Sequence, residues 1–159
     1  MLRIAPQDPG TPDAVSLIDQ LSHTLESVTG GNGKSSFNPD DVRGSKAMFV
    51  VARDSCGVAV GCGAFRQLED GVAEVKRMYA IPGSRGVGTA ILQYLEAQAL
   101  QMGYTEFRLE TRLVNSQAVR FYERRGFKRI PNFGKYVGRP EAVCLAKRLS
   151  GSTEASLRV

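Results

Sequence analysis

The stretch that decides the fold is VKRMYAIPGSRGVGTA, residues 75–90. Its residues predict the end of a β-strand, a glycine-rich turn and the start of a helix. Glycines at positions 83, 86 and 88 allow positive φ angles and let a ligand approach the backbone closely. Successive amides of such a turn, at the start of a helix, form an anion-binding concavity. A left-handed turn without any ligand explains the same glycines.

The segments before this stretch predict strands with one long helix. We expect a strand at residues 2–5, a helix from Asp13 to Gly30 and a loop, with or without a short helix, over residues 31–44. Three strands joined by short turns follow at 48–52, 58–68 and 72–80, as an antiparallel meander. Strict alternation in the third strand puts Val72, Glu74, Lys76 and Met78 on one face and Ala73, Val75, Arg77 and Tyr79 on the other.

The segments after it alternate between helices and strands. Ile91, Leu95, Ala99 and Met102 recur at helical spacing, and Gly103 ends that helix. A strand at 104–111, a helix at 115–125 and strands at 127–130 and 142–147 complete the pattern. We therefore predict an α+β domain over residues 1–149 and a flexible tail over residues 150–159.

Composition excludes several functional classes. The 159 residues are 42% hydrophobic and 23% charged, which suffices for a core without disulfides. No apolar run approaches the roughly 20 residues that span a bilayer, and no secretory signal is present, so we expect a cytoplasmic protein without membrane contact. The net charge of +5 is dispersed along the chain, including the group at residues 123–129, which we interpret as a solvated helix end. Nucleic-acid binding is therefore not expected.

Few residues are available for metal or histidine chemistry. The chain has three cysteines without a CxxC pair, and its one histidine is His23. We expect no metal site, buried cysteines and a surface histidine. GGNGKS at residues 30–35 lacks the first glycine of a phosphate-binding P-loop and follows a helix, so we interpret it as a flexible loop.

A second informative segment is NSQAVRFYERRGF, residues 115–127. Asn115 is a good N-cap, and Ala118, Phe121 and Tyr122 share one face of the predicted helix. Capping and core packing explain these residues without any catalytic role.

Together the two segments resemble the GNAT superfamily of acetyl-coenzyme A-dependent N-acetyltransferases. The family signature Arg/Gln-x-x-Gly-x-Gly/Ala is matched by RGVGTA at residues 85–90, and the segment at 115–127 is similar to the family's tyrosine helix followed by Gly-Phe. The resemblance covers residues 47–148 and implies a mixed, mostly antiparallel central sheet flanked by helices. A second alignment places the family's basic position at Gly83, so the register of the turn stays open.

The resemblance implies a co-substrate and its site. Acetyl-coenzyme A would lie where strand 72–80 separates from strand 104–111, at a bulge that frees backbone groups. An amine of a small molecule or peptide would attack the thioester directly, without an acyl-enzyme. The residues assigned to coenzyme A are Met78, Tyr79 and Ala80 for the pantetheine arm, Arg85, Gly86, Val87, Gly88 and Thr89 for the diphosphate, and Asn115.

The resemblance also implies catalytic roles. Tyr122 would protonate the leaving thiolate, and Glu74 is our first candidate for the base that deprotonates the amine, with Glu110 second. Pairing with Lys76 or Arg77 explains Glu74 equally well. The glycine turn is two residues shorter than in many family members, and no residue is an unambiguous base. These two departures leave a non-catalytic acyl-coenzyme A-binding regulatory module as the alternative function.

The sequence leaves the acceptor open. Loops 29–45 and 130–141 are expected to border its site. Arg112, Lys135 and Arg139 are candidates for binding a carboxylate, and surface solubility explains them equally well. A homodimer is compatible with the sequence, which does not decide the oligomeric state.

Overall fold

A seven-stranded sheet forms the centre of the protein in a computed structural model that describes residues 1–32 and 37–150. The order across the sheet is β1-β2-β3-β4-β5-β7-β6. Only β4 and β5 are parallel neighbours, and every other pair is antiparallel. This confirms the predicted α+β class with a mixed, mostly antiparallel sheet. The strands are β1 (Arg3–Pro6), β2 (Met48–Arg53), β3 (Ala59–Glu69), β4 (Val72–Ala80), β5 (Glu106–Arg112), β6 (Lys128–Ile130) and β7 (Ala142–Arg148).

Helices cover both faces of the sheet. Helix α1 (Pro12–Thr29) packs on one face through Ala14 and Leu17, against side chains of β2 and β3. Helices α2 (Val87–Gln101) and α3 (Ser116–Glu123) pack on the opposite face. Two single turns of 3-10 helix, Pro39–Val42 and Gly134–Tyr136, lie in the connecting loops.

Helix α2 supplies the centre of the larger core. Ile91, Leu95 and Ala99 are fully buried, as their spacing predicts, and each large apolar side chain contributes roughly 1.5–3 kcal/mol through burial. Met102 is partly exposed because the helix ends at Gln101. Gly61 lets the helix approach β3, since a Cβ there would lie 2.7 Å from both Val87 and the Tyr79 carbonyl oxygen.

A β-bulge interrupts β4 and corrects the predicted alternation. Lys76 pairs with Ala64 and Tyr79 with Cys62, so β4 has one extra residue between these two pairs. Arg77 takes up the extra residue with a φ of 55°. Met78 therefore packs with the α2 core, while Arg77 and Tyr79 lie on the α1 face with Glu74 and Lys76. The strict alternation predicted for residues 77–79 is wrong, although the bulge itself was expected.

Several smaller differences from the sequence prediction have local causes. Cys62 and Cys144 are buried as predicted, but Cys56 is exposed on a turn, where its N–H donates to Asp54 Oδ1. His23 is exposed on α1, as expected. Helix α3 ends two residues early, at Glu123. Residues 151–159 of the predicted tail lie outside the described residues, as do residues 33–36 of the predicted loop, which include the last three residues of GGNGKS.

Membrane insertion gains no support from the helices of the described ranges. None of them is both long enough and apolar enough to cross a bilayer.

We expect Gly61→Ala to lower the free energy of unfolding by about 1–3 kcal/mol, because the added methyl group forces α2 away from β3. Urea unfolding monitored by circular dichroism measures the loss. Gly31→Ala is the matched control, because the nearest atom to its Cβ would be 4.0 Å away, and we expect a change below about 1 kcal/mol. Equal stability of the Gly61 variant and the wild type would contradict the close packing described here.

Candidate active site

A cleft opens where β4 and β5 separate. The two strands are hydrogen-bonded over three residue pairs, from Val72 with Glu106 to Glu74 with Arg108. Beyond these pairs they separate, and no strand of the described residues fills the gap. The cleft is lined from β4, β5, α1, α3 and the two flanking loops, which contribute Phe37 and Tyr136. Both loops that the sequence predicts at the acceptor site, 29–45 and 130–141, therefore reach the cleft.

The edge of β4 beyond Glu74 offers unpaired backbone groups to the cleft. Residues 75–80 keep β3 on one side and have no strand partner on the β5 side. Met78 lines the cleft. The side chains of the three residues assigned to the pantetheine arm are used elsewhere, since Met78 packs on the α2 core and the Tyr79 hydroxyl donates to Gln20 at 3.2 Å.

The turn before α2 presents free N–H groups. Gly83 and Gly86 have φ values of 84° and 71°, and a Cβ at either would meet no atom within 4 Å. The first helical hydrogen bond runs from Ala90 N to Gly86 O, so the N–H groups of residues 86–89 are not used within the helix. These amides and the positive end of the helix dipole suit an anion such as a diphosphate. Arg85 is exposed beside them, and the Val87 side chain is buried in the core.

Arg125 is a functional candidate that sequence reasoning missed. Its guanidinium lies 3.7 Å from the centre of the Phe121 ring and donates from Nε to Thr89 Oγ1 at 2.9 Å, with a second bond from Nη2 to the same oxygen. This places a cation at the first turn of α2. The sequence assigned residues 123–129 to a solvated helix end, and no local pattern signals a contact 36 positions away.

Tyr122 lies on α3 with its ring buried against Phe121 and Phe127, at centroid distances of 5.0 and 5.4 Å. It lines the cleft, and within the described ranges its hydroxyl makes no hydrogen bond. Burial raises the pKa of Tyr122 well above its usual value, so the phenol keeps its proton at neutral pH. Asn115 lines the same cleft and caps α3 as predicted, its Oδ1 accepting from the Ala118 N–H at 3.3 Å.

Glu74, the first candidate for a base, is held in a buried polar network. It is 1% exposed, and its carboxylate accepts from Arg66 Nη2 at 2.9 Å and from the Tyr136 hydroxyl at 2.9 Å. Lys76 Nζ lies 3.6 Å away. The expected pairing with Lys76 is present, whereas Arg77 does not pair with Glu74. Tyr136 was not singled out from the sequence.

Glu110, the second candidate, has an uncommitted oxygen. Its Oε2 is buried without a hydrogen bond to any described residue, and the nearest cation, Arg112 Nε, is 3.9 Å away. Loss of solvent raises the pKa of Glu110, and Arg112 offsets this only in part. A desolvated carboxylate in a cleft is the kind of group that accepts a proton near neutral pH.

Of the three residues proposed from the sequence to bind a carboxylate, Arg112 is the one among the described residues that line the cleft. Arg112 lines the cleft but is paired with Glu141 at 3.0 Å. Lys135 and Arg139 are exposed on the 130–141 loop. In residues 1–32 and 37–150, no three His, Cys, Asp or Glu side chains are grouped to hold a metal ion.

Comparison with known families agrees with this geometry. The pattern of the Acetyltransferase (GNAT) family matches residues 19–127. The chain belongs to the GNAT family. A relative from Azospirillum brasilense, IAA acetyltransferase, is 31% identical over 149 residues, covering 92% of this chain and 97% of that protein. This GNAT protein is thus an acyltransferase that depends on acetyl-coenzyme A.

Solved structures share the fold over nearly the whole chain. A protein from Klebsiella pneumoniae, described as an acyl-CoA N-acyltransferase, is 30% identical with a TM-score of 0.80, covering 94% of this chain and 99% of that one. The PaiA N-acetyltransferase of Thermoplasma acidophilum, solved in complex with coenzyme A, is 17% identical with a TM-score of 0.68, covering 93% and 99%. The second likeness concerns the fold alone.

The pKa of Glu110 predicts a pH dependence of stability. Because its pKa is raised in the folded state, its contribution is fully present below the ordinary value of 4.5 and is lost as the pH rises through the raised value. We expect Glu110→Gln to remove this loss. Thermal unfolding of the wild type and the variant, from pH 4.5 to about pH 8, measures the two slopes.

Glu26→Gln, at an exposed position on α1, serves as the control and should keep the wild-type slope. If the wild type and Glu110→Gln had parallel pH profiles, the raised pKa that burial gives this carboxylate would be contradicted.

Proposed function

We propose that this enzyme transfers the acetyl group of acetyl-coenzyme A to a primary amine of a small molecule or peptide by direct attack. The observation that carries the proposal is the pair of groups lining one cleft: the buried Glu110 carboxylate, whose Oε2 makes no hydrogen bond to a described residue, and the protonated phenol of Tyr122. An acetyl transfer from a thioester to an ammonium requires a base for the ammonium and a donor to the leaving sulfur, and these two groups suit those roles.

The residues present fit coenzyme A. The free N–H groups of residues 86–89 and the Arg125 guanidinium would hold the diphosphate, and the unpaired backbone edge at residues 78–80 would hold the pantetheine arm. Asn115 lies in the cleft between α3 and β5 and would contact the same arm. When bound, acetyl-coenzyme A supplies an activated thioester carbonyl.

Glu110 is the better base on physical grounds. Glu74 already accepts hydrogen bonds from Arg66 and Tyr136, so a proton placed on it would break this pairing. The raised pKa of Glu110 brings it closer to neutral pH and to the amine that it would deprotonate. We therefore assign Glu110 as the base and Glu74 as the group that positions Tyr136 and Lys76 at the cleft wall.

Tyr122 is suited to stabilise the leaving sulfur. A thiolate that leaves a thioester has a pKa of about 8.5, well below that of a buried phenol, so the hydroxyl acts through a hydrogen bond that strengthens as charge forms on sulfur. The aromatic contacts with Phe121 and Phe127 fix the ring in place.

The cysteines support direct attack over an acyl-cysteine. Burial raises the pKa of Cys62 to about 12 and also raises that of Cys144, so neither thiol forms a thiolate readily. Cys56 is on the exposed turn between β2 and β3, outside the cleft. The buried Glu110 carboxylate, with its raised pKa, is a candidate for the base whose absence favoured a non-catalytic binding module, and so supports the enzyme over that alternative.

We expect Tyr122→Phe and Glu110→Gln each to lower kcat roughly 10²-fold or more, because each removes one proton-transfer group. Coenzyme A affinity should stay nearly unchanged in both, since neither side chain belongs to the diphosphate site. Thiol release with acetyl-coenzyme A and an amine panel, together with titration calorimetry of coenzyme A, separates the two quantities. Glu110→Gln should also lose the acidic limb of the kcat/KM pH profile.

Glu123→Gln is the matched control for Glu110→Gln, because this glutamate is partly exposed at the end of α3 and its one ion pair among the described residues is with Arg129. Full turnover in Tyr122→Phe would remove the tyrosine from the chemistry. An acidic limb that persists in Glu110→Gln and disappears in Glu74→Gln would return the base to Glu74.

A further inference from the structure

The β4 bulge directs one arginine into the α1 side of the cleft. Arg77 is the one non-glycine residue with positive φ in the ranges 1–32 and 37–150, a conformation that costs of order 1–3 kcal/mol. Its side chain lines the cleft and lies against the Phe37 ring, with Cζ 5.0 Å from the ring centre. The residue is only 8% exposed. An arginine in a strained backbone conformation has thus been withdrawn almost completely from bulk solvent.

This guanidinium lacks the partners that buried arginines normally have. Among the described residues, Nε and Nη2 of Arg77 have no hydrogen-bond acceptor, and no carboxylate lies within 4.0 Å of it. Nη1 reaches the Asn32 carbonyl oxygen at 3.5 Å. Burial lowers the pKa of Arg77, and its interactions with Cys62 and Asp19 oppose this only in part. Two buried donors of one planar fork are therefore left for a ligand.

The other cations at the cleft or beside it already interact with carboxylates of the protein. Arg66 is paired with Glu74, and Arg112 with Glu141. Lys76 lies 3.6 Å from Glu74 and 3.4 Å from the Tyr136 hydroxyl. Arg77 is thus the cleft cation whose charge no carboxylate of the described chain balances.

We propose that Arg77 binds a carboxylate of the acceptor, so that the enzyme acetylates amines that also carry a carboxylate, such as amino acids. The inference rests on the proposed acetyl transfer and names its substrate class. Nε–H and Nη2–H of a guanidinium match the two oxygens of a carboxylate in a planar, bidentate pair. The Phe37 ring covers one face of the guanidinium and leaves its edge for the ligand.

The placement also orients the acceptor. Arg77 is on β4 and Glu110 on β5, and both line the same cleft. A carboxylate on Arg77 leaves the amine of the same molecule to be deprotonated by Glu110. Arg77 is therefore a specificity-determining residue, and its effect should appear in KM for the acceptor more than in kcat.

The test compares trios of acceptors in the thiol-release assay at saturating acetyl-coenzyme A. Each trio contains an amino acid, its decarboxylated amine and its carboxamide: L-phenylalanine, phenethylamine and L-phenylalaninamide, with matching sets for L-leucine and L-lysine. The decarboxylated amine is more basic than the amino acid and the amide is less basic, so a preference over both cannot arise from the fraction of neutral amine. We expect the carboxylate to raise kcat/KM roughly 10- to 100-fold over both.

Arg77→Gln should remove this preference by raising KM for the amino acid. KM for the two acceptors that lack a carboxylate should stay nearly unchanged. Arg77→Lys should retain part of it, since the charge remains and the bidentate fork is lost. Arg3→Gln, an exposed position on β1 across the sheet, is the control and should behave as the wild type. If Arg77→Gln does not fold, the wild-type trios still decide the question.

The outcomes separate this inference from the proposed function. If the decarboxylated amines and the carboxamides release thiol at rates equal to or above those of the amino acids, the carboxylate site is overturned and the transferase proposal stays intact. A preference for O-phosphoethanolamine over every carboxylate also overturns it. If no amine is acetylated, the proposed acceptor chemistry fails, and calorimetry with N-acetyl-L-phenylalanine and its amide tests Arg77 alone: tighter binding of the acid supports the site, and equal binding overturns it.

Discussion

The separation of β4 from β5 after three residue pairs is the constraint on which the rest of the structure depends. Unpaired backbone N–H and C=O groups inside a protein must find partners, and two parallel strands would normally satisfy each other. Here β3 pairs with the outer edge of β4, and β7 pairs with the outer edge of β5. No strand of the described residues pairs with the inner edges past Glu74, so their backbone groups are left to water or a ligand. Because β4 and β5 pair at one end and separate at the other, they form a cleft whose two sides carry backbone hydrogen-bonding groups.

The bulge at Arg77 determines which side chains of β4 lie on each face of the sheet. By inserting one residue, it sends Met78 to the α2 face and leaves Arg77 beside Lys76 on the α1 face. The face with α2 and α3 holds the glycine turn, Arg125 and Tyr122, which suit the acyl donor. The α1 face holds the polar and cationic side chains, which suit a charged acceptor.

Features that depend on neighbours in sequence could be predicted, and features that depend on distant contacts could not. The Asn115 cap, the buried stripe of α2 and the left-handed glycines at 83 and 86 follow from local spacing and backbone sterics. The contact of Arg125 with Thr89 spans 36 positions and that of Tyr136 with Glu74 spans 62, and no local pattern marks either.

Arg77 shows the same limit within a single strand. Strict alternation assigned it to the wrong face, because one inserted residue shifts every side chain after it. The sequence indicated that a bulge belongs in this region but not at which residue. Arg77 is the residue that takes up the bulge, and the face on which its side chain lies was predicted wrongly.

The burial of two cysteines has a practical consequence for chemistry done on this protein. Cys62 and Cys144 are shielded inside the sheet, and only Cys56 meets solvent. Reagents that detect sulfhydryl groups should therefore label one site per folded chain, giving a small and constant background when free coenzyme is quantified. The same single position accepts a fluorescent dye at the β2–β3 turn without disturbing the interior.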